Sequence, residues 1–234
     1  MRLLRADDDR LIERLIHLYQ FKPYRDYRVW SKALQRAILK AELDRALSAA
    51  GHVAVVAGDG EGAVLGLCRP LPWDTAFFGV PMGRLDLLLR GPACGAGTVS
   101  AAVTSLLQRA RAQGLRHLTA RVDIADMQAV AVLEDTGFRL MDSLVTYFTH
   151  PRRDPPTPVR EVGRVRPMTA ADVDAVLAIT REAYQGFRGR FHLDPHLPAA
   201  RSDEVYLEWA RQCCAGRMAD RVVVADDGTG GIHG

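Results

Sequence analysis

Apolar residues recur at helical spacing in some stretches of this chain and at every second position in others, with glycine or proline at most changeovers. Leu11, Leu15, Ile16, Leu18 and Tyr19 predict a helix over residues 8–20, and the acids at its start suit a helix N-terminus. Pro23 ends that pattern. A second helix is expected from Ser31, a good N-cap, to Ala50, where Gly51 stops it. Val53, Val55 and Val56 then bring β-branched character, Gly58-Asp59-Gly60 supplies a turn, and Ala63–Cys68 returns as the second arm of a hairpin. Residues 70–74, with two prolines, interrupt regular structure before a strand over Met82–Leu89. A glycine-rich turn, Arg90–Gly97, leads into a helix from Thr98 to Gln113, closed by Gly114. Leu118–Val122 reads as a strand, Met127–Asp135 as a helix and Phe138–Tyr147 as one or two strands.

Residues 151–163 carry four prolines and alternating charge, the composition of a semi-extended linker. Beyond it come a short strand over Arg164–Met168, a helix over Ala171–Tyr184 capped by Thr169, a loop over Arg188–Pro198, a helix over Asp203–Cys213 and a strand over Arg221–Ala225. Helices alternating with strands predict an α/β protein. The element order helix, helix, strand, Asp-Gly turn, strand occurs near 8–68 and again near 170–233. Two related domains are therefore expected, 1–150 and 164–234, joined by the linker 151–163.

Composition excludes more than it assigns. Of 234 residues, 48% are hydrophobic and 25% charged, which is ordinary for a globular chain. No apolar run reaches the roughly 18–20 residues that span a bilayer, and the acidic start lacks a signal-peptide core, so a cytoplasmic protein without a membrane partner is expected. The first fifty residues hold eleven Lys/Arg against seven Asp/Glu, interspersed rather than clustered. Such mixed charge reads as a solvated helical face and not as a nucleic-acid surface. Cys68 and Cys94 are isolated and Cys213 and Cys214 adjacent, without CxxC spacing. His192, Asp194 and His196 share a loop but have no fourth ligand, so no metal is expected.

The chemistry-bearing segment is Cys94-Gly95-Ala96-Gly97-Thr98. Glycines between a strand and a helix let backbone approach a phosphate, and the free amides at the helix start favour an anion. A second segment, residues 71–79, packs Trp73, Asp74, Phe77 and Phe78 into nine positions. The phenylalanines are placed to seal the sheet edge and Asp74 to cap the turn, or the group forms a wall against a sugar or base. In the later loop, Arg188 and Arg190 have the fork geometry for a diphosphate or carboxylate.

Residues 94–138, with the Gly-x-Gly turn, a helix ending at Gly114, the strand LTARV and the run DIADMQAVAVLEDTGF, resemble the acetyl-CoA-binding half of the GNAT acetyltransferase superfamily. That resemblance implies tandem GNAT-like domains with mixed sheets and acetyl-CoA as cofactor. It implies that Gly95, Ala96, Gly97 and Thr98 hold the pyrophosphate, and that Met82–Leu89 and Leu118–Val122 splay around the pantetheine arm. Segments 71–79 and 188–209 are similar to the TDP-fucosamine acetyltransferase type, which implies a small-molecule amine acceptor, such as a nucleotide-linked amino sugar, met by Trp73, Asp74, Phe78 and Arg190. Asp86, on the strand flanking the implied thioester position, is the candidate base. Three positions depart from the superfamily pattern: Pro92 replaces Arg or Gln, Asp126, whose charge would oppose a nearby phosphate, replaces a loop Asn, and Leu133 stands where many members carry a Tyr acid. Relative to such enzymes the second domain also looks truncated. Its open sheet edge calls for a second copy or a partner to cover it. Two readings stay open: an N-acetyltransferase, and a catalytically inactive GNAT-like binding or scaffolding module.

Overall fold

The computed structural model describes residues 1–147 and 163–233 apart from Ala6 and Arg28. They divide into two compact units, Met1–Arg139 and Leu140–Gly234. All but Gly163 of the expected linker 151–163 lies outside the described residues, as does the boundary at residue 150.

In unit one, β1 (Arg2–Leu3), β2 (Val53–Ala57), β3 (Val64–Pro70), β4 (Met82–Arg90) and β5 (His117–Ala120) form one sheet in sequence order. The first four run antiparallel; β5 lies parallel to β4, so the sheet is mixed. Helices α1 (Asp9–Leu18) and α2 (Lys32–Ser48) cover one face, and α4 (Ala96–Ala112) and α5 (Met127–Asp135) the other. The period-2 pattern decides which side chain goes where. Val53, Val55, Val64 and Leu88 pack with Val99, Val103, Leu106 and Val132, whereas Ala54, Val56, Leu65 and Leu89 pack with Leu15, Leu39 and Leu43.

Several elements depart from the sequence expectation; residues 190–193, for one, form a helix within the expected loop 188–198. Residues 72–78 form a helix, α3 (Pro72–Phe78), not an irregular break. Proline is at home in a first helical turn, where its missing N–H has no acceptor to lose, and Gly79 ends the helix in the left-handed region. Residues 138–147 form no β-ladder, and Leu140, Leu144, Val145 and Tyr147 are exposed. Strand-forming residues do not make a strand without a neighbour for their amides. Strand β1 was not foreseen, because two residues carry no readable period.

Unit two contains β6 (Arg164–Pro167) and β7 (Val223–Asp226) as an antiparallel pair, with α6 (Val173–Ala183), α7 (Arg190–Leu193) and α8 (Ala199–Cys214). Arg166 joins the strands to the first helix: its Nη1 and Nη2 donate to Asp172 at 2.7 and 2.9 Å, and its Nε to Asp226. The guanidinium and the Thr169 amide and hydroxyl hold the Asp172 carboxyl well below the usual carboxylate range. Tyr184 and Tyr206 stack at 4.0 Å, tying α8 to the end of α6.

The turn before α4 is pinned to the β2–β3 hairpin. The Gly91 amide donates to the Ala63 carbonyl (3.0 Å) and the Ala93 amide to that of Glu61 (3.1 Å). A Cβ at Gly91 would stand 2.2 Å from the Glu61 carbonyl oxygen, whereas at Gly95 it would meet nothing within 4 Å. Gly91→Ala should therefore destabilise unit one by about 1–3 kcal/mol, and Gly95→Ala, which meets open space but loses a favoured N-cap residue, by less than about 1 kcal/mol. Urea melts of the two variants check this, and equal midpoints would contradict it.

Candidate functional site

Strand β4 is paired with β3 along its whole length but with β5 only from Met82 to Leu85. From Asp86 to Arg90 it has no neighbour on the β5 side among the described residues. The divergence coincides with a bulge: Leu67 pairs with Leu87 and Cys68 with Leu85, so Asp86 is the extra residue. The bulge reverses side-chain parity. Leu88 and Leu85 both face α4, and Asp86 is turned to the α1–α2 face with Arg69 and Arg84. Its Oδ1 accepts from Arg84 Nε at 2.5 Å, and its Oδ2 lies 2.7 Å from Arg69 Nε in an ion pair that lacks hydrogen-bond geometry. Asp86 is thus bracketed by two cations.

The sequence reading missed Glu42. This residue lies on α2, and its charge neighbours are Arg45, Arg84, Asp86 and Arg121, which places it beside the bulge. Burial pushes its carboxyl above the usual range; Arg45 and Arg84 oppose that rise, and Asp86 adds to it. No motif marks such a residue, because its charged neighbours come from distant stretches of the chain.

Beyond Arg90 the chain turns through residues 91–95 into α4, which begins at Ala96, two residues before the expected start. Gly95 is the N-cap and provides no side-chain acceptor, whereas α2 and α5 are capped by Ser31 and Asp126. The Thr98 amide donates to the Gly95 carbonyl (3.0 Å), so the amides of Gly95, Ala96 and Gly97 are the ones left to face outward. Gly95 has φ −76°, which any residue adopts. A Cβ on Gly95 or Gly97 would meet nothing within 4 Å. Internal packing therefore does not require glycine at either position. What the missing side chains leave is bare backbone at a helix start.

Two side chains fix this turn from the α5 side. Gln128 Nε2 donates to the Cys94 carbonyl at 2.9 Å. Arg90 donates to Asp126 in a two-pronged ion pair, with Nη1 to Oδ2 at 2.5 Å and Nη2 to Oδ1. Asp126 Oδ1 also accepts the Ala129 amide at 3.0 Å, capping α5. The pair is buried, with side chains 9% and 1% exposed. Asp126 is therefore neutralised in place, and the charge opposition expected from an acid at this position does not reach the Gly95–Gly97 amides unpaired. Phe21 lies against the Arg90 guanidinium and that of Arg25, and Arg25 Nε pairs with Asp123 at 2.9 Å. Leu133, where the resembling enzymes often carry Tyr, is a buried core residue.

The expected site residues fall into three groups. Gly95, Ala96, Gly97 and Thr98 lie together at the start of α4. Trp73, Asp74 and Phe78 lie on α3 at the other end of β4, about 26 Å away by strand rise; Trp73 stacks on Phe77 at 5.1 Å, and Phe78 is buried. Arg190 lies in unit two, where its guanidinium sits 4.5 Å over Phe191 and its amide donates to Asp142. Among the described residues no group of three or more His, Cys, Asp or Glu is placed to hold a metal ion, and no helix is long and apolar enough to cross a membrane.

No protein-family model matches this chain, and no curated protein matches it. Solved structures do. A transcriptional regulator from Bacillus halodurans C-125 aligns at 19% identity and TM-score 0.46, over 63% of this chain and 97% of that one. A ribosomal-protein-alanine N-acetyltransferase from Brucella melitensis aligns at 18% and 0.42, over 63% and 98%. An aminoglycoside 6'-N-acetyltransferase from Acinetobacter haemolyticus aligns at 15% and 0.42, over 64% and 99%. At these scores neither fold family nor function transfers.

The ion pair makes a direct prediction. Arg90→Met leaves a buried carboxylate without its cation and should cost about 3–5 kcal/mol, while Arg90→Met combined with Asp126→Asn should recover most of that loss. Denaturant melts of the single and double variants test it. A single variant within 1 kcal/mol of the parent would show that the pair does not hold the turn.

Proposed function

We propose that unit one is a GNAT-type acyl-CoA-binding domain and that the chain transfers an acetyl group from acetyl-CoA to a primary amine. The observation that carries this reading is the coincidence, at one end of β4, of a strand flank without a neighbour and a helix start whose outward amides are bared by Gly95 and Gly97. Bound acetyl-CoA supplies an activated acyl thioester. On this reading the Gly95, Ala96 and Gly97 amides take the pyrophosphate, favoured by the α4 dipole. The free flank of β4 beyond Leu85 offers backbone groups to the arm and polarises the carbonyl. Glu42, its carboxyl raised by burial, replaces Asp86 as the group that takes the amine proton, because Asp86 is already ion-paired with two guanidiniums. An amino-sugar acceptor rests only on the resemblance of segments 71–79 and 188–209.

Gly97→Glu tests the cofactor site without threatening the fold. The new side chain has open space, and an acid in the first helical turn favours the α4 dipole. Its melting temperature should equal or exceed the parent's. Calorimetry should show acetyl-CoA binding to the parent and at least about tenfold weaker binding to the variant. Unchanged affinity would place the cofactor elsewhere, and no heat from the parent at high micromolar ligand would sink the transferase reading.

A further inference from the structure

At the opposite edge of the unit-one sheet, a cavity of about 640 Å³ opens between β1, the start of α1 and the ends of α2 and α4. Its volume lies within the range of small-ligand sites, roughly 300–1,000 Å³. The floor is apolar, formed by Leu3, Leu4, Ile12, Leu47 and Val53. Leu3 remains 48% exposed there, an uncovered apolar side chain on an edge strand.

The rim has a sign. Arg5 and Arg109 both line it, and neither guanidinium is paired with a carboxylate among the described residues. The one acid at the rim, Asp9, occupies the first turn of α1, where the helix dipole already stabilises it. The neighbouring Asp8 is withdrawn: Arg2 grips both of its oxygens, and the Arg5 amide donates to it at 2.7 Å. That last bond fixes the Arg5 backbone and leaves its side chain to the cavity. Helix α4 presents its carbonyl end here, which disfavours an anion; Arg109, in its last turn, offsets that partial charge, and Arg5 adds a full one. His52 Nδ1 lies 2.9 Å from the Ala49 carbonyl, so that nitrogen carries the proton.

We propose that this cavity binds a small amphipathic carboxylate, with the apolar chain on the Leu3–Ile12–Val53 floor and the carboxylate between Arg5 and Arg109. The site is separate from the glycine turn. It shares α4 with that turn, whose opposite end is about 24 Å distant by helical rise.

Decanoate and decyltrimethylammonium, which carry chains of equal length and heads of opposite charge, probe the site. In NMR titrations of the full chain, decanoate should shift the methyl signals of Leu3, Ile12, Leu47 and Val53 and bind at least about tenfold tighter than the cation. The surface variant Arg5→Gln/Arg109→Gln should still fold, with a melting temperature within about 5 °C of the parent's, and lose about tenfold in decanoate affinity. Ala112→Trp, at an exposed rim position, should fill the cavity and abolish binding. Equal binding of the two probes, shifts mapping elsewhere, no decanoate binding at millimolar concentration, or an unaffected double variant would each overturn the proposal.

Discussion

The buried ion pair between Arg90 and Asp126 joins the end of β4 to the start of α5, and much of the candidate site depends on that join. Arg90 is the last residue of the strand, so its anchor fixes where the glycine turn begins. Asp126 caps α5, so the same bond fixes the helix from which Gln128 reaches back to the Cys94 carbonyl. On the other side the Gly91 and Ala93 amides hold the turn to the β2–β3 hairpin. A short stretch of backbone without side-chain support is thereby held from two directions. The Gly95–Gly97 amides are left as its outward groups.

The same strand explains why the divergence occurs where it does. One extra residue, Asp86, breaks the β3–β4 register, and β4 loses its parallel neighbour at that same position. A regular strand would have placed Asp86 toward α4, in an apolar layer with Leu88 and Val103. The bulge moves it to the α1–α2 face, where Arg69 and Arg84 wait.

Much of unit one was legible because its signals are local. The α1, α2, α4 and α5 helices follow from 3.6-residue periodicity with Ser31, Gly51 and Gly114 as punctuation, and β2–β4 from alternation. The glycine turn was legible as a motif. What was hidden depends on tertiary placement. Proline at residue 72 reads as a break but serves as a first-turn residue. Residues 138–147 are rich in strand-forming side chains, yet composition does not supply a pairing partner. Asp126 reads as a charge hostile to phosphate until Arg90, 36 residues earlier, is seen to neutralise it. Glu42 carries no pattern at all. Trp73 and Asp74 attract notice by composition, but the length of β4 separates them from the glycine turn.

The central claim is that backbone amides at the start of α4 receive the anionic part of a CoA molecule. Backbone NMR of the labelled chain during a coenzyme A titration tests this most directly. The amide signals of Gly95, Ala96 and Gly97 should move and their hydrogen exchange should slow, while those of Gly91 and Ala93, already bonded to the hairpin carbonyls, stay in place. Saturating coenzyme A that leaves the three amides unshifted, or that shifts residues away from β4 and α4 instead, would contradict it.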